Sequence, residues 1–459
     1  MGGLECKEIS LKDILKNNEV FRYDAEYFNK KALSVIDYIC EGKFDYLGDV
    51  FDISKLAGFE FTKFFTESNM NSDDSSIALT SKNIQKEKLS LGEYITIDNE
   101  CAKNNLTRSK LHKNDVVLSY TGEYRRALTL RSDEYQLGPN VCRLTPKKNG
   151  IFSLYYSAFL NSKTGQTILD REKTLSAQPT VAMQRIRKIP CPVPSDELLN
   201  YIKNQGERYY KLCDNADLLL SEAQKIIDSE IDNNSKVDED NISIITLNAM
   251  NNNGRFDAEY YLKRYNDARN IIKSYKNGYK AFFDVCDISD KNYVPEDDKE
   301  YNYIELSNVE KNGTISGCTR ELGDKLPSRA RRLVKTNDVI LSSIEGSLSS
   351  IALVDCEYDL SLCSTGFYVV KSNKINSETL TVLFKNKYMQ MILKQECSGT
   401  ILTNITKDNL AKILVPIIDE SIQKVIKEKV QQAIKDYKEA NSIYTSILDK
   451  IDSTYFDLC

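Results

Sequence analysis

Two long segments of the chain repeat apolar positions every seven residues. The repeating positions of the first segment form the series Ile202, Tyr209, Ala216, Ala223 and the series Gln205, Leu212, Leu219, Ile226. Those of the second form the series Ile426, Ala433, Ala440, Ile447 and the series Val430, Tyr437, Tyr444, Ile451. Alternating steps of three and four residues place such positions on one stripe of a helix, as in a coiled coil. The pattern predicts two long helices, and Gly206 costs the first about 1 kcal/mol relative to alanine.

The chain before each long segment alternates short apolar runs with turns. Residues 116–120, 339–342 and 366–370 are typical of β-strands, whereas 152–160 and 379–393 are typical of helices. This part therefore predicts an α+β fold. The two long helices either pack on each other or pack separately on the domains that precede them.

Three motifs occur twice and in the same order. The pairs are residues 22–28 (RYDAEYF) and 255–261 (RFDAEYY), residues 113–119 and 336–342, and residues 186–192 and 410–416. The second pair is followed in both cases by a glycine, Gly122 or Gly346. Because the offsets between copies stay close to constant, the chain is predicted to contain two diverged copies of one unit.

The repeat and the polar stretch between its copies give a domain organisation. The predicted segments are a first domain at 1–194, a helix at 195–231, a linker at 232–241, a second domain at 242–416 and a second helix at 417–453.

Composition narrows the class of protein. The 459 residues are 41% hydrophobic and 28% charged, which is ordinary for a globular protein. We expect a cytoplasmic protein, because no apolar run is long enough to span a membrane and the N-terminus does not resemble a secretory signal. The 12 scattered cysteines are expected to be reduced thiols, and His112, the only histidine, is expected at the surface.

Charge is distributed unevenly along the chain. The total is −5, but residues 101–190 hold 16 lysines and arginines against 6 acidic residues, a net charge of +10. A basic block in an acidic chain indicates a face that meets a polyanion, whereas the simpler alternative is a cluster of solvated cations.

Catalytic signatures are missing from the sequence. There is no phosphate-binding glycine motif, and no Pro-Pro pair of the kind that adenine methyltransferases need. Asp115 with Glu123 and Arg125 comes nearest to a nuclease motif but lacks its lysine, so these carboxylates are interpreted as turn or strand-end residues. A duplicated protein without catalytic residues fits a ligand with two-fold character, such as duplex DNA with half-sites ~34 Å apart.

The two copies of each motif, with a heptad helix after each copy, resemble the specificity subunits of type I restriction–modification systems. The resemblance covers essentially the whole chain. It implies two homologous mixed α/β target-recognition domains, each followed by a long helix, with the helices in an antiparallel coiled coil and a pseudo-two-fold arrangement.

The resemblance also implies a function in phage defence. Each domain would read one half of a split, asymmetric sequence in double-stranded DNA, and the helices would dock two adenine methyltransferase subunits. Those partners would bring S-adenosylmethionine, and restriction or translocase subunits, if present, would bring ATP and Mg. The chain itself would hold no cofactor or metal and would not be an enzyme. The specificity subunit of a type IIB-like methyltransferase-nuclease is equally compatible with the motifs.

Candidate DNA-binding residues follow from chemistry and from the repeat. Phosphate contacts come from cations and polar groups, whereas arginine reads guanine and glutamine or asparagine reads adenine. In the first copy the candidates are Lys103, Arg108, Lys110, Tyr124, Arg125, Arg126, Gln178 and Thr180. In the second copy they are Arg329, Arg331, Arg332, Ser343, Glu345, Ser347, Ser349, Thr400 and Asn404.

Two functions of other classes remain open on the sequence alone. A stand-alone nuclease would cleave DNA without partners. A coiled-coil scaffold protein would show no DNA binding that weakens as salt rises, as binding through phosphate contacts must.

Overall fold

The computed structural model describes residues 10–16, 22, 24–91, 94–122, 125–150, 152–232, 237, 242–399 and 403–457. The chain divides into two compact units. Unit 1 comprises Met1–Tyr210 with Ala440–Cys459, and unit 2 comprises Lys211–Glu439. Each unit therefore contains part of both long helices. Most of the predicted linker, residues 233–236 and 238–241, lies outside the described residues.

Unit 1 contains a mixture of short helices and strands. Its helices are α1 (Leu11–Lys16), α2 (Lys30–Glu41), α3 (Leu47–Val50), α4 (Gly58–Phe64), α5 (Glu67–Met70), α6 (Asn99–Asn105), α7 (Ser153–Asn161), α8 (Lys163–Glu172), α9 (Met183–Arg187), the first part of α10 (Asp196–Ile231) and the last part of α17 (Glu420–Tyr455). Its strands are β1 (Phe44–Tyr46), β2 (Phe51–Lys55), β3 (Ser75–Leu79), β4 (Ile84–Gln85), β5 (Lys88–Leu89), β6 (Ile95–Asp98), β7 (Val116–Ser119), β8 (Ala127–Thr129), β9 (Gln136–Leu137), β10 (Val141–Pro146) and β11 (Pro190–Pro192).

Unit 2 also contains a mixture of short helices and strands. Its helices are the last part of α10, α11 (Leu247–Asn253), α12 (Lys263–Lys273), α13 (Phe282–Val285), α14 (Ser377–Lys385), α15 (Lys387–Gln395), α16 (Lys407–Leu410) and the first part of α17 (Glu420–Tyr455). Its strands are β12 (Tyr279–Ala281), β13 (Cys286–Ser289), β14 (Glu300–Ile304), β15 (Thr319–Leu322), β16 (Ala330–Leu333), β17 (Val339–Ser342), β18 (Ile351–Leu353), β19 (Leu362–Ser364), β20 (Phe367–Ser372), β21 (Cys397–Ser398), β22 (Asn404–Ile405) and β23 (Leu414–Pro416).

The strand order confirms that the chain is a structural duplication. Unit 1 has an antiparallel sheet in the order β2-β10-β7-β8, and unit 2 has the matching order β13-β20-β17-β18. A second sheet is β6-β3-β9 in unit 1 and β15-β14-β19-β16 in unit 2. In both units the second sheet contains one parallel pair, β3 with β9 or β14 with β19. Each unit thus has the predicted mixed α/β fold.

One core cluster of each unit lies between these two sheets. In unit 1, Val117 and Leu128 of the first sheet pack with Leu79 and Leu137 of the second. In unit 2, the corresponding cluster joins Ile340, Ala352 and Val369 to Ile304 and Cys363. The opposite face of the unit 2 sheet is covered by α14 and α15, so β17 is buried on both sides. This double burial explains why β7 and β17 are continuous apolar runs rather than alternating ones.

The Asn-Asp pair before the central strand forms the same turn in both units. Asn114 and Asn337 have φ values of +72° and +70°, a conformation that asparagine tolerates better than most residues. The carboxylate of Asp115 accepts a hydrogen bond from His112 N at 2.8 Å, and that of Asp338 accepts one from Lys335 N at 2.8 Å. The motif occurs in both copies because both form this turn. The hydrogen bonds confirm that the two aspartates are turn residues.

The long helices α10 and α17 run antiparallel. In unit 2, Asn215 lies 2.6 Å from Asp436, and Glu222 lies 2.6 Å from Lys429. In unit 1, the Tyr201 hydroxyl contacts that of Ser446 at 3.2 Å, and the Tyr209 ring lies 5.4 Å from that of Tyr444. In each unit, residues later in α10 contact residues earlier in α17. This pairing is that of an antiparallel coiled coil, as the resemblance implies.

The buried stripe of α10 differs in part from the predicted one. Its first series is confirmed, since Ile202, Tyr209, Ala216 and Ala223 are buried. The members of the second predicted series, Gln205, Leu212, Leu219 and Ile226, are only partly buried, although Leu219 and Ile226 pack against the core of unit 2. The stripe instead continues one position later, through Gly206, Leu220 and Ile227. Gly206 has no side chain, so its buried position is not visible in a hydrophobic pattern. Its lack of a side chain leaves space for Leu154, whose Cδ2 lies 2.2 Å from the position that an alanine Cβ would take.

Candidate DNA-recognition loops

A loop and a hairpin meet at the end of the central strand of unit 1. Residues 120–126, called loop 1, follow β7, and residues 173–181, called hairpin 1, follow α8. Thr121 and Thr180 form a β-bridge, with their hydroxyl oxygens 3.3 Å apart. The Gly122 amide donates to Pro179 O at 3.3 Å, and the Val181 amide donates to Tyr120 O at 2.9 Å. Backbone bonds therefore fix loop 1 against hairpin 1.

Unit 2 has the same arrangement. Residues 343–349, called loop 2, follow β17, and residues 397–405, called hairpin 2, contain β21 and β22. Ile344 and Asn404 form the bridge that corresponds to the one between Thr121 and Thr180. The Ile405 amide donates to Ser343 O at 2.8 Å, and the Glu345 amide donates to Thr403 O at 3.1 Å. The structure thus brings together the two predicted segments of each copy, although more than 40 residues separate them in sequence.

Several predicted residues of unit 1 lie at this junction. Gln178 is exposed, and its Nε2 would lie 3.7 Å from a Cβ placed on Gly122. Gly122 has a φ of +73°, so the turn itself favours glycine there. Arg125 pairs with Asp170 of α8 at 2.7 Å. Tyr124 lies outside the described residues.

Loop 1 is a concentration of positive charge. Burial lowers the pKa of Lys86 below its ordinary value, and the nearby charges of Arg125 and Arg126 lower it further. Arg126 is half-buried. Three cations thus lie in one neighbourhood, and Asp170, which pairs with Arg125, and Asp452, which raises the pKa of Lys86, offset part of their charge. Lys86 was not among the predicted residues, because its place beside loop 1 follows from the pairing of strands rather than from the sequence.

The predicted phosphate-binding cations of unit 1 lie on another part of the unit. Lys103 is on α6 and Arg108 is in the turn after it, and both side chains are exposed. Lys110 is half-buried and forms a β-bridge with Gln136 at the end of the second sheet. These three residues belong to the second sheet and its helix, whereas loop 1 extends from the first sheet.

In unit 2 the predicted arginines lie at the edge of the second sheet. Arg329 is exposed, Arg331 donates from Nε to Ser328 O at 3.1 Å, and Arg332 lies in β16. The Nε and Nη1 atoms of Arg332 are buried and make no hydrogen bond with any described residue. Arg332 therefore has two buried donor atoms without a hydrogen-bond acceptor.

The serines of loop 2 are used within the fold. Ser343 is 8% exposed and donates to Gly366 O at 2.9 Å. Ser347 is half-buried, and its hydroxyl lies 2.9 Å from that of Ser342. Asn404 is exposed, Glu345 accepts a hydrogen bond from the Thr403 hydroxyl, and Ser349 is exposed. Thr400 lies outside the described residues. Among the described residues of loop 2 and hairpin 2, the exposed polar side chains are thus those of Ser349 and Asn404.

The duplicated heptapeptide supports both hairpins. Arg22 pairs with Asp24 at 2.5 Å and donates to Lys173 O at 2.6 Å, at the base of hairpin 1. Arg255 pairs with Asp257 at 2.7 Å and donates to Cys397 O at 2.8 Å, at the base of hairpin 2. The sequence showed the repeat of this motif but not its role, which depends on contacts with residues more than 140 positions away.

Neither a metal-binding cluster nor a membrane-spanning helix occurs among the described residues. No group of histidine, cysteine or acidic residues among them could hold a metal ion. The cysteines in the described part of the chain are free thiols. None of its helices has both the length and the apolar character that crossing a lipid bilayer requires.

Comparison with solved structures gives matches over most of the chain. A type I restriction–modification S subunit from M. genitalium is 13% identical, with 89% of this chain and 95% of that chain aligned and a TM-score of 0.38. The HsdS subunit from Thermoanaerobacter tengcongensis is 11% identical, with 90% and 96% aligned and a TM-score of 0.28. No curated protein sequence matches the chain.

A family comparison identifies the second copy of the repeat. The sequence model described as "Type I restriction modification DNA specificity domain" matches residues 279–445, from β12 into α17. Specificity subunits of type I systems recognise DNA and are non-catalytic. Residues 279–445 are therefore similar to the DNA specificity domain of type I restriction–modification systems, and unit 1 repeats the strand order of unit 2, which contains most of them.

Proposed function

We propose that the chain is the subunit that selects the DNA sequence for a modification complex, and that each unit reads one half of a bipartite target. The observation that carries this proposal is the pairing of a loop with a hairpin at the end of the central strand, which occurs once in each unit. The family match of residues 279–445 supports it.

The proposed target is asymmetric, because the two reading surfaces differ in chemistry. Loop 1 and hairpin 1 carry Arg125, Arg126 and Gln178, which suit guanine and adenine edges. Loop 2 and hairpin 2 present the polar groups of Ser349 and Asn404 beside the acidic Glu345. Two surfaces with different donors and acceptors select different half-sites, whereas identical surfaces would select a palindrome.

The chemistry would come from partners. In this proposal the antiparallel helices α10 and α17 dock two adenine methyltransferase subunits, which bring S-adenosylmethionine, and the complex acts on double-stranded DNA in the cytoplasm. Restriction or translocase subunits would add ATP and Mg. A type IIB-like complex would carry methyltransferase and nuclease in the same partner chain, so co-purification from the native host distinguishes the two kinds of complex.

The first test is the methylome of the native host with and without this gene. The proposal expects adenine methylation to disappear at one split motif and to remain at all others. In the restored strain, Arg126→Glu is expected to lower methylation of that motif, whereas Glu134→Gln, a change at an exposed acidic residue outside the loops, serves as the matched control. Retention of every methylated motif in the deletion strain, together with failure of a methyltransferase to co-purify, would refute the proposal.

A further inference from the structure

A glutamine of α8 contacts loop 1 through its side-chain amide. The Gln166 Nε2 donates to Arg125 O at 2.7 Å and to Leu160 O at 2.6 Å. The first acceptor is in loop 1, and the second is near the end of α7. One amide group therefore ties the backbone of the loop to the helical layer behind the sheet.

The corresponding glutamine of α15 makes the same pair of contacts in unit 2. The Gln390 Nε2 donates to Leu348 O at 3.2 Å and to Phe384 O at 2.7 Å. Leu348 is in loop 2, and Phe384 is near the end of α14. Gln166 and Gln390 were not singled out by the sequence motifs, yet they have the same role in two diverged copies.

A second contact fixes the downstream end of each loop. In unit 1, Asn161 at the end of α7 accepts from the Ala127 amide at 2.9 Å and donates to the Ala127 carbonyl at 2.8 Å. In unit 2, Lys385 at the end of α14 donates to Ser349 O at 3.0 Å. The glutamine is the same in both units, whereas the second contact uses a different residue type in each.

The backbone of loop 1 needs such support. Arg125 has a φ of +80°, in the left-handed region that residues other than glycine rarely adopt. A non-glycine residue keeps this conformation only where its surroundings impose it. The carbonyl that accepts from Gln166 belongs to Arg125 itself, and the Arg125 side chain pairs with Asp170 of the same helix. Helix α8 thus holds both the backbone and the side chain of Arg125.

We propose that Gln166 and Gln390 are positioning residues for base recognition: each holds the backbone of one recognition loop, so that its loss relaxes sequence discrimination at one half of the DNA target and leaves the other half unchanged. This inference rests on the proposed function. Phosphate contacts tolerate small shifts of a loop, whereas a bidentate contact to a base edge does not, so discrimination falls more than overall DNA affinity.

The test uses the full chain assembled with its native methyltransferase partner. Gln166→Met and Gln390→Met keep the size of the side chain and remove the amide donors, and each variant is the matched control of the other. Methylation of a DNA library with every single-base change in the target measures discrimination at each position. Gln166→Met is expected to lower discrimination about tenfold at one half-site, and Gln390→Met is expected to do so at the other half-site.

A purely structural role predicts a different result. Loss of general stability lowers the yield and rate of both variants equally at all positions, so equal loss at both half-sites, or unchanged discrimination, would overturn the inference. Hydrogen–deuterium exchange without DNA provides a separate readout, in which Gln166→Met is expected to speed exchange of amides in loop 1 but not in loop 2. If exchange changes in this way while the wild-type complex shows no sequence preference, the glutamine contact is right and the proposed function is wrong.

Discussion

The carboxyl group of Glu87 is buried between the β4–β5 turn and helix α10. The residue is 2% exposed, and three groups donate hydrogen bonds to its carboxyl oxygens. They are the Tyr210 hydroxyl at 2.5 Å, the Ser157 hydroxyl at 2.5 Å and the Thr129 amide at 3.1 Å. Burial raises the pKa of Glu87 from 4.5 to about 7, because these hydrogen bonds only partly offset the loss of solvation. We therefore predict that Glu87→Gln changes the pH dependence of stability.

The sign follows from proton binding. Below about pH 4.5 the carboxyl is protonated in both states, so the stabilising effect of its raised pKa is fully present. Between 4.5 and about 7 the folded protein holds the proton and the unfolded chain releases it, so the free energy of unfolding falls as pH rises. Over the pH interval from 4.5 to about 7, the free energy of unfolding is expected to fall by about 3 kcal/mol. Glutamine cannot ionise, so this part of the pH dependence is expected to disappear in the variant.

Urea denaturation followed by circular dichroism measures the effect. The difference in unfolding free energy between wild type and Glu87→Gln is expected to change by about 3 kcal/mol in favour of the variant between pH 4.5 and pH 8. Glu134→Gln, at an exposed position, controls for the loss of one negative charge. A difference that stays constant over this pH range would show that Glu87 ionises alike in the folded and unfolded states, which would refute the reasoning.

Three other changes test separate contacts. Asp452→Asn is expected to cost about 1–2 kcal/mol in urea denaturation, because this carboxylate accepts from two amides at the start of α8 at 2.9 and 3.0 Å; an unchanged midpoint would contradict its role as a cap. Gly206→Ala is expected to lower the melting temperature of the wild-type chain, because the alanine Cβ would lie 2.2 Å from Leu154 Cδ2. In a Leu154→Ala chain that clash is absent, so Gly206→Ala is expected to raise the melting temperature through its gain of about 1 kcal/mol in helix propensity. Reversal of Arg125 and Arg126 to glutamate is expected to weaken DNA binding by the assembled complex and to reduce its salt dependence, and an unchanged salt slope in gel-shift titrations would remove loop 1 from the interface.

The sequence predicted the elements that depend on local pattern. The central strands at 116–119 and 339–342 are continuous apolar runs, and such runs are recognisable without knowledge of their neighbours. The helix expected at 379–393 is two helices, α14 and α15, because Asn386 ends the first and caps the second by accepting from the Tyr388 amide at 3.0 Å. An asparagine can lie within a helix or cap its end. Which of the two applies at Asn386 depends on whether the backbone changes direction there.

The direction of the loop side chains could not be predicted in the same way. Ser343 follows the strand in the sequence as a polar loop residue would, yet its hydroxyl is bound to Gly366 O of a neighbouring segment. Arg125 pairs with Asp170, which lies 45 residues later. These partners come from strand pairing and helix packing, which a motif of seven residues does not contain. The sequence therefore located the loops but not which of their side chains are free to meet a ligand.

The contrast between what the two copies share and what they do not share supports a recognition role. The heptapeptide, the Asn-Asp turn and the glutamine contact repeat with the same bonds. The heptapeptide holds the hairpins and the glutamine holds the loops. The exposed side chains at the junctions differ, with Gln178 on hairpin 1 and Asn404 on hairpin 2. A duplicated enzyme would need the same reactive groups in both sites, and a duplicated scaffold would need no preserved support for its loops. Preserved support with divergent side chains is what reading two different half-sites requires.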